Sequence, residues 1–552
     1  MTTENRYWGV GDNLCLTTVI WIVTYLLGVA FICFLPPWEG YDEVAHYSYA
    51  QQLADTGEAP SLQQGRLAKG VESYKRLAPM PYSTTLPFDE NGGVTYRSWF
   101  SQGDASKALA HGQNAHKRFF SPGTASNWQA QHPALYYRLL APLVSMTADL
   151  SWAAQLFILR LMSWSLAFTG LVISLWSTAR AINVIRPELN GVYARIALAW
   201  PLLFPGFFPE FARLGNDSLV LLLLSMVWAL LVQFLITPLR LYWYLGLGVL
   251  LGLGGLTKVT FLPISAAIFG WLLWMGALAP GWKQRIRSWS GALLVIAIYF
   301  VFTGEGYLTN LEQRRSLSGL VELSGSQAPS ASFWFGAFQH PIEVIKGVLG
   351  IGMTFVWGGT ASSAYPPVLF VLPAVLWFVA LVGCSVDVLK GRSRDLAILA
   401  LLIVATVTGG LIYYLLVRIA VTGVGAGAPG WYLHTLIAPM SLLLAGGWHF
   451  IQARISFSRA IWRIWLIYMV CFGLGIGWLQ LTLFTGCSFK TADSRTYSFS
   501  DPVCLVDAPR LYQRLDMLTY PAPGFLLLGL ALSLISWVVW YSRNASANKD
   551  TR

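Results

Sequence analysis

The chain has 552 residues, of which 55% are hydrophobic and only 11% charged, and its formal net charge is +11. Soluble domains carry roughly 25% charged residues, so this composition excludes an ordinary soluble protein. The basic excess lies in short connections between apolar runs rather than in a hydrophilic domain, which argues against a nucleic-acid-binding protein.

Apolar runs recur near the ~20 residues that cross ~30 Å of hydrocarbon, a setting in which helices satisfy their own backbone groups. About twelve spans are predicted, near 13–35, 151–179, 196–212, 217–239, 241–257, 259–279, 288–304, 366–388, 396–417, 431–452, 461–485 and 523–541. The expected fold class is an all-α polytopic membrane protein. Arg180, Arg186 and Arg195, Arg240, Lys283 to Arg287, Lys390 to Arg394, Arg454, Arg459 and Arg543 all fall on the side of the termini. By the positive-inside rule that side is the cytoplasm. The first run is too long for a signal-peptide core and reads as a retained anchor.

Three long interruptions, 36–150, 305–365 and 486–522, then lie on the extracytoplasmic face. One membrane domain is expected over 1–541, with a short cytoplasmic tail at 542–552. Bulk on one face suits an enzyme, a receptor or a transporter alike. No internal repeat is evident, which weighs against many secondary transporters.

In chain order, "PPWEGYDEVAHYSYAQQLADTG" (36–57) opens the first loop. Val44, Tyr47, Leu53 and Ala54 recur at near-helical spacing, so a short helix lying on the membrane surface is predicted over 42–54. Asp42 would sit in its first turn, where the macrodipole favours a carboxylate, and His46 can share a face with Asp42 or Glu43. The reading open here is a general base at the lipid boundary, against a helix cap with a surface acidic pair. The stretch 56–130 is rich in Gly, Ser, Pro, Asn and Gln and is expected to hold little regular structure. "QHPALYYRLLAPLVSM" (131–146) reads as a second interfacial helix, with Leu135, Leu139, Leu140 and Leu143 on one apolar face and Arg138 off it.

"FPEFARLGNDSLVLLL" (208–223) gathers Glu210, Arg213, Asn216 and Asp217 at a junction between spans. Asn216 and Asp217 could cap the next helix, but four polar groups exceed what capping needs. "GLGGLTKVTFLPI" (252–264) places Lys258 between two apolar runs, where it either reaches the interface or meets an anion such as a lipid phosphate. Arg418 and "GAPGWYLHTLIAP" (427–439), with Trp431, Tyr432 and His434, add a cation and an aromatic cluster to the same face. Of the six cysteines, Cys487 and Cys504 share the third loop. In an oxidising compartment they could close a disulfide, the alternative being two unrelated thiols.

The stretches "PPWEGYDEVAHY", "QHPALYYRLLAP", "RLGNDSLVL", "GLTKVTF" and "GWYLHTLIAP", in that order, resemble the GT-C superfamily of membrane glycosyltransferases, in particular its bacterial aminoarabinose and protein-mannosyl branches. The resemblance implies a GT-C-like fold in a bacterial cytoplasmic membrane and a polyprenyl-phosphate-sugar donor. The acceptor would be a glycan, lipid or protein hydroxyl. It makes Asp42 the base, with Glu43 beside it, and sets Lys258 near the carrier phosphate with Arg213 or Arg418. The two loop helices would flank the carrier groove, with His132, Tyr136 and Tyr137 of the second at the substrate. His46, Glu210, Asn216, Asp217, Tyr432 and His434 complete the candidate substrate-binding set. Trp431-Tyr432 stands where relatives often have Arg-Tyr, which withholds one donor contact. No cofactor is required by these residues, and a divalent cation is possible only at Asp42, Glu43, Glu210 and Asp217. The competing function is a transporter or flippase for a polyprenyl-linked or other amphiphilic substrate.

Overall fold

Small side chains let two long helices run against each other and set the frame of the membrane-embedded part. The computed structural model describes residues 14–520, apart from 62–63, 75–78, 83–87, 89–93, 102–117, 238–239, 315–316, 318–335, 358–368, 371–372, 374–393, 426–428, 491–496, 500–503 and 505. The elements used below are α1 (Leu14–Phe34), α2 (Glu43–Thr56), β1 (Arg66–Ala68), β2 (Pro122–Ser126), α3 (Leu135–Met146), α4 (Trp152–Ile185), α5 (Asn190–Leu203) and α6 (Phe207–Phe211). They continue with α7 (Asp217–Ile236), α8 (Leu241–Gly255), α9 (Phe261–Leu278), α10 (Trp282–Arg314), α11 (Pro341–Val356), α12 (Arg394–Thr422), α13 (Ile437–Gln452), α14 (Ser458–Phe484), β3 (Ser488–Lys490), β4 (Tyr497–Phe499) and α15 (Ala508–Asp516).

The most extensive helix pair is α4 with α7. Gly170 faces the backbone of Leu222 so closely that a Cβ there would come within 2.9 Å of its Cα. One turn on, Ser174 and Ser225 hydroxyls bond at 2.7 Å, and another turn on the Trp228 indole N–H donates to Thr178 Oγ1 at 2.9 Å. Glycine and hydroxyl residues at four-residue spacing are what close packing between membrane helices requires, because lipid supplies no hydrophobic drive between them.

Among the described residues, six helices are long and apolar enough to cross a membrane: α4, α7, α9, α10, α12 and α14. The chain is an all-α polytopic membrane protein, with two two-stranded ladders, β1–β2 and β3–β4, in its polar segments. α1 and α8 are shorter apolar helices. The predicted span at 366–388, apart from residues 369, 370 and 373, the span at 523–541 and the tail at 542–552 lie outside the described residues.

Several sequence expectations change at the edge of the membrane part. The run 196–212 is not one helix: α5 ends at Leu203 and α6 starts at Phe207, and the Gly206 N–H between them donates to the Val356 carbonyl at 3.0 Å. The run 431–452 begins as a 3₁₀ turn, Gly430–Leu436, before α13. Such breaks bring backbone and polar side chains to membrane depth where protein covers them.

The first loop is a folded cap and not a pair of surface helices. α2 is buried from Glu43 through Gln51, enclosed by α3, β1 and a 3₁₀ turn at Trp128–Gln131. α3 turns Tyr136, Tyr137, Leu140 and Val144 inward and leaves Leu139 exposed, so the predicted leucine face is not the packed one. Two tyrosine hydroxyls with buried partners decide this: Tyr136 bonds Ser163, and Tyr137 bonds His46. The stretch expected to lack structure contains β1–β2, paired antiparallel, and helical turns at Lys69–Ser73 and Tyr96–Ser101.

The third loop packs on the first. Cys487 and Cys504 are joined in a disulfide with Cα atoms 5.7 Å apart. Arg514 of α15 donates to the Thr485 carbonyl at 2.7 Å, and Arg97 lies 4.5 Å over the Phe489 ring of β3.

Candidate active site

The site is built where the loop cap meets the ends of α1, α4, α6, α7, α8 and α9. α1 ends at Phe34, and the chain turns sharply through two residues in the left-handed region, Trp38 (φ 68°) and Asp42 (φ 62°). Aspartate tolerates this region better than most residues, whereas a bulky tryptophan does not, and such strain persists only where the surroundings enforce it. Trp38 is fully buried in an edge-to-face nest with Tyr47, Tyr74 and Trp152, which supplies that enforcement.

Asp42 occupies the position before α2, but its side chain does not cap the helix. Instead Oδ1 accepts from the Trp128 indole at 2.9 Å and Oδ2 from the Gln129 amide at 3.3 Å. The helix-cap reading is therefore set aside for this residue. Burial raises the Asp42 carboxyl above the ordinary aspartate range, against the opposing pull of Arg213, the Trp128 hydrogen bond and Lys258. The result is a half-buried carboxylate of increased basicity.

Glu43 points the other way and is fully buried. Oε1 accepts from Arg160 Nε at 2.7 Å and from the Leu214 N–H at 2.9 Å, and Oε2 accepts from Arg160 Nη2 at 2.6 Å. Arg160 also holds the Leu35 and Pro36 carbonyls, at 2.5 and 2.9 Å. With both oxygens engaged, Glu43 is a structural anchor and has no free lone-pair geometry for a second base. The expectation that set Glu43 beside Asp42 as a catalytic carboxylate is corrected, and so is the alternative of a surface acidic pair: Glu43 is a buried anchor.

His46 does not pair with either carboxylate. Its Nδ1 meets the Tyr137 hydroxyl at 2.8 Å, and Tyr137 in turn stacks on Tyr49 with ring centroids 3.7 Å apart. Burial holds His46 well below the ordinary histidine range and pushes His132 down to about 3, helped in both cases by neighbouring cations. Both rings are neutral. Among the described residues His132 Nδ1 has no hydrogen-bond partner, and the same is true of Gln129 Oε1 in the adjoining turn.

Behind Asp42 lies a buried charge cluster. Lys258 Nζ is 2.7 and 2.8 Å from the two Asp217 oxygens and 3.8 Å over the Tyr432 ring. Arg213 donates to Glu210 at 3.1 and 2.6 Å, to Asp217 Oδ2 at 3.4 Å, and through Nη1 to the Tyr41 carbonyl at 2.9 Å. Lys258 is thus already paired, which differs from the sequence expectation of a cation awaiting a phosphate. Neither Asn216 nor Asp217 caps α7 with its side chain. The Asn216 amide is completely buried, and neither of its polar atoms has a partner among the described residues. Backbone bonds lock the cap to this cluster: the Leu135 N–H donates to the Leu256 carbonyl at 3.2 Å, and Gly215 N–H to the Tyr136 hydroxyl at 3.1 Å.

Arg418, half-buried near the end of α12, makes no ion pair or side-chain hydrogen bond among the described residues, and its charge acts on the Tyr41 hydroxyl. His434 is set apart from the charges in a cage of Phe204, Phe207 and Phe355, with centroids 6.5, 6.1 and 4.8 Å away. Beside Arg213 a cleft opens, lined by Glu39, Tyr41, Glu210, Arg213, Trp431 and Gln480 among others. Among the described residues no three His, Cys, Asp or Glu side chains are arranged to hold a metal. The donor set agrees: the carboxylates of Glu43, Glu210 and Asp217 are taken by cations, leaving Asp42 alone, so these residues do not fit a resident divalent ion.

Sequence reasoning missed Arg160, Trp128, Gln129 and Gln480. An arginine inside a predicted span is the signal that would have found Arg160, whereas the turn at 128–131 carries no motif.

No family model and no curated protein matches this chain. Among solved structures it is similar to ArnT from Cupriavidus metallidurans, in a crystal structure bound to undecaprenyl phosphate. Sequence identity is 12%, 78% of each chain is covered and the TM-score is 0.31. A likeness of that degree assigns no role to any residue. What the structure itself defines is a multi-pass membrane protein whose polar loops fold over a buried charge cluster.

Proposed function

We propose that this protein is a membrane glycosyltransferase that moves a sugar from a polyprenyl-phosphate carrier to an acceptor hydroxyl, with inversion, on the extracytoplasmic face of a bacterial cytoplasmic membrane. The observation that carries the reading is Asp42: a carboxylate held off its helix by Trp128 and Gln129, made more basic by burial, and within the field of Arg213 and Lys258. The ordered motif resemblance supports it independently.

Asp42 takes the proton of the acceptor hydroxyl as that oxygen attacks the anomeric carbon. The bond from that carbon to the phosphate oxygen breaks, and the phosphate monoester leaves with its electron pair. General-base help of this kind contributes ~10²–10⁴ in rate. The leaving group is acidic and needs no proton. Arg418 is the cation that receives it, since Lys258 and Arg213 are occupied by Asp217 and Glu210. The two cations instead favour the ionised form of Asp42, against the opposing charge of Asp217.

The test is native mass spectrometry of purified protein for co-bound polyprenyl phosphate, followed by transfer from a short-chain polyprenyl-phosphate sugar. Wild type should retain the lipid and turn over, while Asp42→Asn should retain the lipid and not turn over. Folded wild type that holds no such lipid and transfers no sugar would defeat the reading and move attention to lipid flux.

A further inference from the structure

An aspartate just before a helix ordinarily takes an extended backbone and turns its carboxylate onto the first-turn N–H groups. Asp42 does neither. It lies in the left-handed region, φ 62°, where its main-chain carbonyl accepts from the Ala45 and His46 N–H groups at 3.0 and 3.1 Å. The carboxylate is left to Trp128 and Gln129. One side chain thus has two positions, a cap on α2 or a carboxylate facing the site. The peptide plane between Tyr41 and Asp42 selects between them, because φ is the rotation of Asp42 against that plane.

Arg213 holds that plane. Its Nε and Nη2 are committed to Glu210, at 3.1 and 2.6 Å, and Nη2 also to Asp217 at 3.4 Å. Nη1 goes elsewhere, to the Tyr41 carbonyl at 2.9 Å. Space for this nitrogen comes from Gly215, where a Cβ would lie 2.6 Å from Nη1 and 3.2 Å from Cζ. Gly215 is not in the left-handed region, so its missing side chain serves the guanidinium and not a turn. A planar fork can satisfy two carboxylates and a carbonyl from one fixed position, which a lysine cannot do.

We propose that Arg213, seated by Gly215, is a positioning residue that holds the Tyr41 carbonyl and thereby keeps the Asp42 carboxylate on the site and off the N-terminus of α2. The inference rests on the transferase reading for the task of Asp42. Geometry and charge are separate contributions of the same guanidinium, and the proposal concerns the geometry. Without the bond to Tyr41 the peptide plane turns, Asp42 relaxes to an ordinary cap, and the carboxylate leaves Trp128.

The Trp128 indole reports the carboxylate directly. In NMR spectra of the full chain in detergent with isotope-labelled tryptophan, the Trp128 N–H signal is identified by its loss in Trp128→Phe. It should move with pH in wild type and stay fixed in Asp42→Asn. Gly215→Ala pushes only the far end of a flexible side chain and keeps its charge, so melting should stay near wild type. Its Trp128 signal should no longer follow pH. Transfer should fall by about 10²-fold, the cost of misplacing a catalytic group by about 1 Å, with co-bound polyprenyl phosphate unchanged. Arg213→Lys keeps the charge without the fork and should lose the pH response and the rate in the same way, so the conclusion does not hang on one variant folding. A Trp128 signal that still follows pH in either folded variant, or transfer at the wild-type rate in either, overturns the proposal and leaves Arg213 a charge alone. If the Trp128 signal behaves as described but wild type holds no lipid phosphate and transfers no sugar, the transferase reading falls and the positioning of Asp42 stands.

Discussion

Arg160 and Glu43 form a two-pronged ion pair, 2.7 and 2.6 Å, with neither side chain more than 2% exposed. The same guanidinium ties down the Leu35 and Pro36 carbonyls at the end of α1. One residue of α4 thereby fixes the exit of the first helix and the start of α2, and with them the left-handed turn at Asp42. Breaking a buried pair strands the remaining charge, at a cost of about 3–5 kcal/mol. Arg160→Met and Glu43→Gln should each sharply lower the melting temperature in detergent, with the double variant less damaged than the sum of the two. Additive losses would mean that the two residues act separately.

Asp42→Asn removes the proposed base while keeping shape and hydrogen-bonding capacity, so melting should stay close to wild type as transfer falls ~10²–10⁴-fold. A base works when ionised, and burial raises this one. The rate should therefore decline as pH drops through a pKa above 3.8, its ordinary value. Trp128→Phe deletes a bond that favours the ionised form, which should move the acid limb to higher pH. A limb that stays put after Trp128→Phe assigns it to another group.

Two cations on the same side of the protein should behave oppositely. Lys258→Met leaves Asp217 in the interior with only the longer Arg213 contact and should cost stability, with Asp217→Asn partly restoring it. Arg418→Ala breaks no ion pair among the described residues and should leave melting intact while reducing co-purified polyprenyl phosphate. Unchanged lipid in Arg418→Ala would remove this residue from the phosphate site.

His46 and His132 are held neutral by burial, with pKa values depressed from 6.5. A depressed folded-state pKa means that the unfolded chain takes up protons first as pH falls. Their contribution is full above about 6.5 and is lost progressively towards about 3 for His132. Melting temperature should fall across that acid window, and His132→Gln should flatten the fall. A profile unaltered by His132→Gln places the acid sensitivity in the carboxylates.

The disulfide closes a sequence separation of 17 residues, worth roughly 3 kcal/mol at most by loop entropy. Cys504→Ser should loosen β3 and α15 from the first loop, read as faster proteolysis near residues 487–504. Equal protease resistance would show that Arg514 and Phe489 hold the loop without the bridge.

By itself the sequence determined the solvent this chain lives in and where its polar chemistry gathers, because hydropathy and helix length are properties of local stretches. Asp42, Glu210, Arg213, Asp217 and Lys258 were legible as candidates for the same reason: charges beside apolar runs are costly and rarely idle. Helix breaks at Pro205-Gly206 and Gly430 were less legible, since apolar residues continue across them and their cause is packing by Val356 and the neighbouring turns. Only the tertiary structure decided which charge faces which. Arg160 stands 117 residues from Glu43 and Lys258 stands 41 from Asp217, so no window of sequence contains either pair. The division of neighbouring Asp42 and Glu43 into a site carboxylate and a buried anchor follows from those distant partners, because a carboxylate's role depends on what already occupies its oxygens.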